Sequence, residues 1–154
     1  MIKYYDKAIV FQEVPDEVSL ALNITNCPHR CKNCHSPYLR EDVGEELTME
    51  ELDTLLKDKI YKNITCVLFM GGDSCHLDIR DLANYIHTYY PYKVAMYSGD
   101  DIIDGKLLDC LDYYKFGSYQ EDKGGLDKPT TNQVMLKINE GKIEDITKKF
   151  QKLI

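Results

Sequence analysis

The chain has 154 residues, of which 44% are hydrophobic and 29% charged, a composition typical of one soluble globular domain. Its formal net charge of −7 and the lack of clustered Lys and Arg argue against nucleic acid as a partner. The sequence has neither the apolar stretch of a signal peptide nor an apolar run long enough to span a bilayer. We therefore expect a single domain over residues 1–154, located in the cytoplasm and without a membrane partner.

Two β-rich runs open the chain, at residues 7–14 and 18–25. The turn-forming residue Pro15 lies between them, which predicts a hairpin or two successive strands. Thr48 begins a capping box that is completed by the glutamate three residues later, and apolar residues then recur at helical spacing. This pattern predicts a helix over about 48–59.

The rest of the chain alternates between predicted strands and helices. The apolar run 64–70 predicts a buried strand, after which Asp78 is expected to cap a helix that Pro91 ends. The later segments are, in chain order, a strand at 94–97, a helix at 103–111, strands at 113–119 and 134–138, and a helix at 143–153. Such alternation predicts an α/β fold with a mainly parallel sheet, in the form of an incomplete (partial) β/α barrel.

Three of the six cysteines, Cys27, Cys31 and Cys34, follow the second β-rich run with the spacing C-x3-C-x2-C. Three thiolates on one tight loop can each bind one iron of a 4Fe-4S cluster and leave the fourth iron open to a substrate. The loop is expected at the C-terminal edge of the first core strand. Cys66 and Cys110 lie in apolar segments and are predicted to be buried thiols.

Two other readings of the cysteine loop remain open at this point. One is a structural zinc site, in which His29, His35 or His76 completes a Cys3His set. The other is an electron carrier whose cluster does not bind a substrate.

The segment Cys-Pro-His-Arg-Cys-Lys-Asn-Cys-His-Ser-Pro, which starts at Cys27, resembles a known family. The spacing of its cysteines is that of the radical S-adenosylmethionine (SAM) superfamily. Its residues are similar to those of the same segment in the activating proteins of anaerobic ribonucleotide reductase. The resemblance implies two cofactors, a 4Fe-4S cluster and SAM, with SAM bound to the open iron and cleaved there to a 5′-deoxyadenosyl radical.

The same resemblance implies further cofactor contacts. Gly71, Gly72 and Asp73 look like the superfamily's Gly-Gly-Glu or Gly-Gly-Asp motif, which binds the SAM amino group. Asn33, just before the third cysteine, and Ser98, after the 94–97 strand, are implied as further SAM contacts.

The partner implied by the resemblance is a glycyl radical enzyme, in the first place anaerobic ribonucleotide reductase, whose glycine loses a hydrogen atom. A different glycyl radical enzyme is the alternative partner. The electron is expected from a low-potential donor such as flavodoxin or ferredoxin.

Other polar residues near the predicted strand ends are less specific. Asp100, Asp101 and Asp104 are interpreted as the solvated start of a helix, without a role in the chemistry. Lys115 is interpreted either as a cofactor or partner contact or as an exposed lysine at a strand end. The segment 117–133 is predicted to be one long loop, of a length that is often functional.

Overall fold

The computed structural model of the chain describes residues 1–29 and 36–151. In these residues eight strands form a single sheet: β1 (Lys3–Val10), β2 (Ser19–Ile24), β3 (Glu45–Glu46), β4 (Cys66–Met70), β5 (Lys93–Tyr97), β6 (Tyr113–Phe116), β7 (Val134–Asn139) and β8 (Lys142–Asp145). Their order in the sheet is β3-β1-β2-β4-β5-β6-β7-β8.

Three α-helices accompany the sheet in the described residues: α1 (Met49–Lys57), α2 (His76–Tyr89) and the four-residue α3 (Gly105–Leu108). Short 3-10 turns add Pro37–Arg40, Lys59–Tyr61 and Thr147–Phe150. No helix in the described part of the chain is both long enough and apolar enough to cross a bilayer.

The prediction of a mainly parallel, partial β/α barrel is wrong. The sheet is mixed, because β1 pairs antiparallel with β2 and β3, and β6 with β7 and β7 with β8 also pair antiparallel. Only the three central pairs, β2 with β4, β4 with β5 and β5 with β6, are parallel. The sequence argument failed at the C-terminal end of the chain, where a hairpin replaces the expected helix, and in treating the sheet as mainly parallel although a hairpin opens the chain.

The C-terminal hairpin shows why the last predicted helix, 143–153, is wrong. Asn139 pairs with Lys142 in the register of β7 and β8, so Glu140 and Gly141 form a two-residue turn. Both turn residues have positive φ, 50° and 79°, as a type I′ hairpin turn requires. Of the apolar positions that suggested a helix, Ile143 lies in β8, Ile146 immediately precedes the 3-10 turn and Phe150 ends it, while residue 153 lies outside the described residues.

Of three other local predictions, two are confirmed and one is wrong. The opening hairpin is confirmed as β1 and β2, and the cap of α1 is confirmed because Thr48 Oγ1 accepts the Glu51 N–H at 3.0 Å. Asp78 does not cap α2, since that helix already begins at His76. Its carboxylate instead accepts the backbone N–H of Ile2 at 2.9 Å.

The two faces of the sheet are buried differently. One face packs against α1 and α2, with Phe69 and Met96 among its fully buried side chains. The opposite face is covered by loops and by the C-terminal turn, which contribute Leu126 and Ile146 to a second apolar cluster. Both clusters leave the ends of the central strands open for polar residues, and those ends carry the site.

The hairpin assignment can be tested by substitution in its turn. We expect Gly141→Ala to lower the free energy of unfolding by about 1 kcal/mol, because alanine resists positive φ. Gly105→Ala is the matched control, since an added Cβ there meets no atom within 4 Å and lies in a helix. The control should be neutral or stabilising by up to about 1 kcal/mol. Urea unfolding followed by circular dichroism measures both, and equal effects would contradict the assigned turn.

Candidate functional site

The cysteine loop begins where β2 ends. Cys27 comes three residues after Ile24, the last residue of β2, and its backbone N–H donates to Leu39 O at 2.8 Å. The neighbouring N–H of Asn26 donates to Glu41 O at 3.2 Å. The start of the loop is therefore fixed against the 3-10 turn that follows the loop in sequence. Cys31, Asn33, Cys34 and His35 lie outside the described residues.

The Gly71-Gly72 pair follows β4 and leads directly to Asp73, whose side chain is only 3% exposed. This carboxylate accepts four hydrogen bonds. Ser98 Oγ donates to Oδ1 at 2.7 Å and the backbone N–H of Gly99 donates to Oδ2 at 2.8 Å. His76 Nε2 lies 2.8 Å from Oδ1, and His29 Nε2 lies 2.8 Å from Oδ2. Asp73 thus joins the cysteine loop to the ends of β4 and β5.

Further carboxylates surround the two histidines. Asp100 lies between them, with Oδ1 at 3.2 Å from His29 Nε2 and Oδ2 at 3.5 Å from His76 Nε2. Asp104 Oδ2 is 2.7 Å from His76 Nδ1. Because both ring nitrogens of His76 face carboxylates, the arrangement favours the doubly protonated imidazolium, which donates from each nitrogen.

Protonation in this cluster follows from burial and hydrogen bonding. Burial alone would raise the pKa of Asp73, but the bonds from His76, Ser98, Gly99 and His29 outweigh it and lower that pKa. Burial alone would lower the pKa of His76, but its bonds to Asp73 and Asp104 outweigh it and raise that pKa. Asp73 is therefore an anion at neutral pH.

Close packing makes this geometry depend on a glycine. A Cβ on Gly99 would lie 2.8 Å from Cδ2 of the His29 ring, well inside van der Waals contact. Only a residue without a side chain lets His29 approach the end of β5 and reach Asp73.

The predicted site residues are distributed as follows. Gly71, Gly72, Asp73 and Ser98 lie together at the C-terminal ends of β4 and β5, where the Gly71 N–H also donates to Tyr97 O at 3.0 Å.

Lys115 is not exposed. Its side chain is buried, and Nζ donates to the carbonyls of Ser98 and Gly117 at 3.0 Å each. It therefore fixes the loops after β5 and β6 to one another.

Four residues of the cluster were not assigned to it from sequence: His29, His76, Asp100 and Asp104. Asp104 does cap α3 by accepting the Lys106 N–H, as an aspartate at a helix start should, but Asp100 is not a mere solvated helix start. The available signal was topological, because residues that follow adjacent parallel strands meet at one edge of the sheet. His76 and Asp100 follow β4 and β5, which are such neighbours.

The donor set suits an iron–sulfur cluster. Three cysteines in C-x3-C-x2-C spacing supply soft thiolate ligands, and Cys27, the one within the described residues, is only partly buried. Cys66 and Cys110 are buried in the core and lie on other elements. These two are therefore structural thiols, as the sequence predicted, and the cluster would be held by Cys27, Cys31 and Cys34.

Alkylation under native conditions distinguishes the two kinds of cysteine. Burial raises the pKa of Cys66 to about 12 and that of Cys110 to about 11, so neither forms the reactive thiolate near neutral pH. We expect iodoacetamide at pH 8 to label Cys27 in cluster-free protein while Cys66 and Cys110 stay unmodified, as measured by peptide mass spectrometry. Guanidinium-unfolded protein, in which all six cysteines should react, is the control. Native labelling of Cys66 as fast as Cys27 would contradict the assignment.

Comparison with known proteins gives one family match, to the 4Fe-4S single cluster domain, over residues 17–136. No curated protein matches the chain, and no solved structure does. The matched segment begins just before β2 and ends within β7, so it includes the cysteine loop and the complete Asp73 cluster. The match favours an iron–sulfur cluster over a zinc ion as the group bound by the cysteine loop. The chain belongs to the family of 4Fe-4S single cluster domains.

Proposed function

We propose that this chain, acting as one domain over residues 1–154, binds SAM at the cluster of Cys27, Cys31 and Cys34 and activates a glycyl radical enzyme. When bound, the cluster supplies the electron that cleaves SAM to methionine and a 5′-deoxyadenosyl radical, which takes a hydrogen atom from a glycine of the partner. The proposed partner is anaerobic ribonucleotide reductase, with flavodoxin or ferredoxin as the electron donor. Activation of another glycyl radical enzyme is the second candidate.

The observation that supports the proposal most is the 2.8 Å hydrogen bond between His29 and Asp73. These residues are 44 positions apart in sequence, and His29 is only two residues from Cys27. The contact brings the Gly71-Gly72-Asp73 segment against the cysteine loop. A single small ligand can therefore contact both segments.

Asp73 has the properties that an ammonium-binding group needs. It is ionised, because its hydrogen bonds lower its pKa, and it is 3% exposed, so water screens its charge weakly. All four of its hydrogen bonds are already made, so an incoming ammonium group takes the place of a histidine N–H. His29 is the more exposed of the two histidines, 25% against 15%, and we expect it to move.

The remaining residues of the site orient Asp73. Ser98 and Gly99 donate to separate oxygens of its carboxylate and so fix the plane of the group. The Ser98 hydroxyl also accepts the Asp100 N–H at 3.0 Å. Gly71, Gly72 and Asn33 remain proposed SAM contacts, as does Ser98.

The first experiment measures 5′-deoxyadenosine formed from SAM by anaerobically reconstituted protein with a strong reductant. We expect product from the wild type and none from Cys27→Ala, Cys31→Ala or Cys34→Ala, because each variant loses an iron ligand. Cys110→Ala is the matched control, since it removes a buried cysteine remote from the loop, and should retain product formation.

The outcomes separate the candidate functions. A protein that holds an intact cluster but forms no product, even with ribonucleotide reductase present, would contradict SAM cleavage and favour an electron carrier. Product formation together with a glycyl radical signal in electron paramagnetic resonance (EPR) spectra of anaerobic ribonucleotide reductase would support the proposed partner. Product without that signal would direct the search to another glycyl radical enzyme.

The role of Asp73 predicts a separate effect on SAM affinity. Asp73→Asn removes the charge that would bind the amino group, so KM for SAM should rise at least tenfold. Asp112→Asn is the matched control, because Asp112 also accepts from a histidine, His87 at 2.7 Å, and from a backbone N–H, that of Val94 at 2.8 Å. Asp112 precedes β6, at the other end of the strand from Lys115, and its variant should keep the wild-type KM. Equal KM values in both variants would exclude Asp73 as the amino-group ligand.

A further inference from the structure

A second cation site, separate from the thiolates, is indicated by the cluster around Asp73. One ligand atom each from His29, Asp73 and Asp100 lies within 4.8 Å of the other two. These atoms come from three segments of the chain: the cysteine loop, the loop after β4 and the loop after β5. Three separate segments of the chain therefore bring potential metal ligands to one point.

The separations between these atoms match the edges of a coordination polyhedron. A divalent ion binds nitrogen or oxygen ligands at about 2.1 Å. Two such ligand atoms lie roughly 3.0 Å apart when their bonds to the ion form a right angle, and roughly 3.4 Å apart when the angle is tetrahedral. The His29–Asp73 and His29–Asp100 contacts are 2.8 and 3.2 Å. His76 contacts the other oxygen of each carboxylate, Asp73 Oδ1 at 2.8 Å and Asp100 Oδ2 at 3.5 Å, so it lies beside this set of three ligand atoms and does not belong to it. Little movement is needed for one ion to replace the shared protons.

The charge balance also favours a cation. Asp73, Asp100 and Asp104 place three carboxylates around two imidazoles. Asp73 and Asp100 both approach His29 Nε2, at 2.8 and 3.2 Å, so two carboxylates lie close together. A divalent ion between them neutralises both charges, while His76 stays hydrogen-bonded to Asp104.

We propose that His29, Asp73 and Asp100 bind a divalent first-row transition metal ion at a site distinct from the iron–sulfur cluster, where the ion and the SAM amino group of the proposed function would compete for Asp73. Imidazole nitrogen with carboxylate oxygen is the ligand set of Mn²⁺, Fe²⁺, Co²⁺ and Zn²⁺, whereas Ca²⁺ and Mg²⁺ prefer oxygen alone. The site faces solvent through His29 and Asp100, which are 25% and 35% exposed, so an ion can enter without unfolding.

The test uses Mn²⁺, which binds carboxylates well and thiolates poorly, on protein that already contains its cluster. Titration under argon, followed by loss of the EPR signal of free Mn²⁺, should show about one bound ion per chain. Asp100→Asn should weaken this binding at least tenfold, because it removes a charged ligand. Asp101→Asn is the matched control, since the neighbouring carboxylate contacts Ser118 and not the histidines, and it should bind as the wild type does.

Pulsed EPR of the bound Mn²⁺ supplies a second readout. Coupling to imidazole nitrogen is expected in the wild type and should be lost in His29→Gln, which removes the imidazole of the set. Absence of binding up to millimolar Mn²⁺, unchanged affinity in Asp100→Asn, or a bound ion without nitrogen coupling would each overturn the proposal. The measurement contains no SAM, so its result is independent of whether the protein cleaves SAM.

Discussion

The buried carboxylate of Asp73 is the interaction on which the site depends. An ion with 3% exposure is costly to bury unless its oxygens are fully hydrogen-bonded, and Asp73 satisfies that requirement with donors from three segments. The charge of Asp73 and its hydrogen-bond donors depend on each other. The donors make the charge tolerable, and the charge holds the cysteine loop, the start of α2 and the end of β5 in one arrangement.

The mixed sheet explains why these segments meet. Its three parallel pairs put the C-terminal ends of β2, β4, β5 and β6 at one edge, so the loops after them are adjacent. The turns of the antiparallel hairpins β1–β2 and β7–β8 lie at the opposite edge of the sheet, so they do not separate these loops. The buried Lys115 then ties the loop after β5 to the loop after β6 through two backbone carbonyls. The site is thus made from the central strands, while β1 and β7 add buried residues such as Tyr4 and Met135 to the core.

Sequence reasoning succeeded where local chemistry decides the outcome. The Thr48 cap, the buried strand 66–70 and the buried thiols Cys66 and Cys110 follow from side-chain chemistry within a few residues. It failed where pairing direction decides, because apolar periodicity says which residues are buried and not which strand lies beside which. The turn at Glu140 and Gly141 shows this, since a glutamate with positive φ is an unusual start for a hairpin turn. Likewise, the contact of His29 with Asp73 arises from tertiary structure and has no local signature.

The crossover from β2 to β4 has a consequence for the order of folding. Ser19 pairs with Cys66, so this parallel pair closes a long loop that contains the cysteine loop and α1. The hairpins β1–β2 and β7–β8 close much shorter loops and pay a smaller entropic cost. The two ends of the chain therefore have local contacts that can form first, and the central pairing, which brings Asp73 to the cysteine loop, is completed last. In refolding of the complete chain we therefore expect the site to be assembled after the outer hairpins.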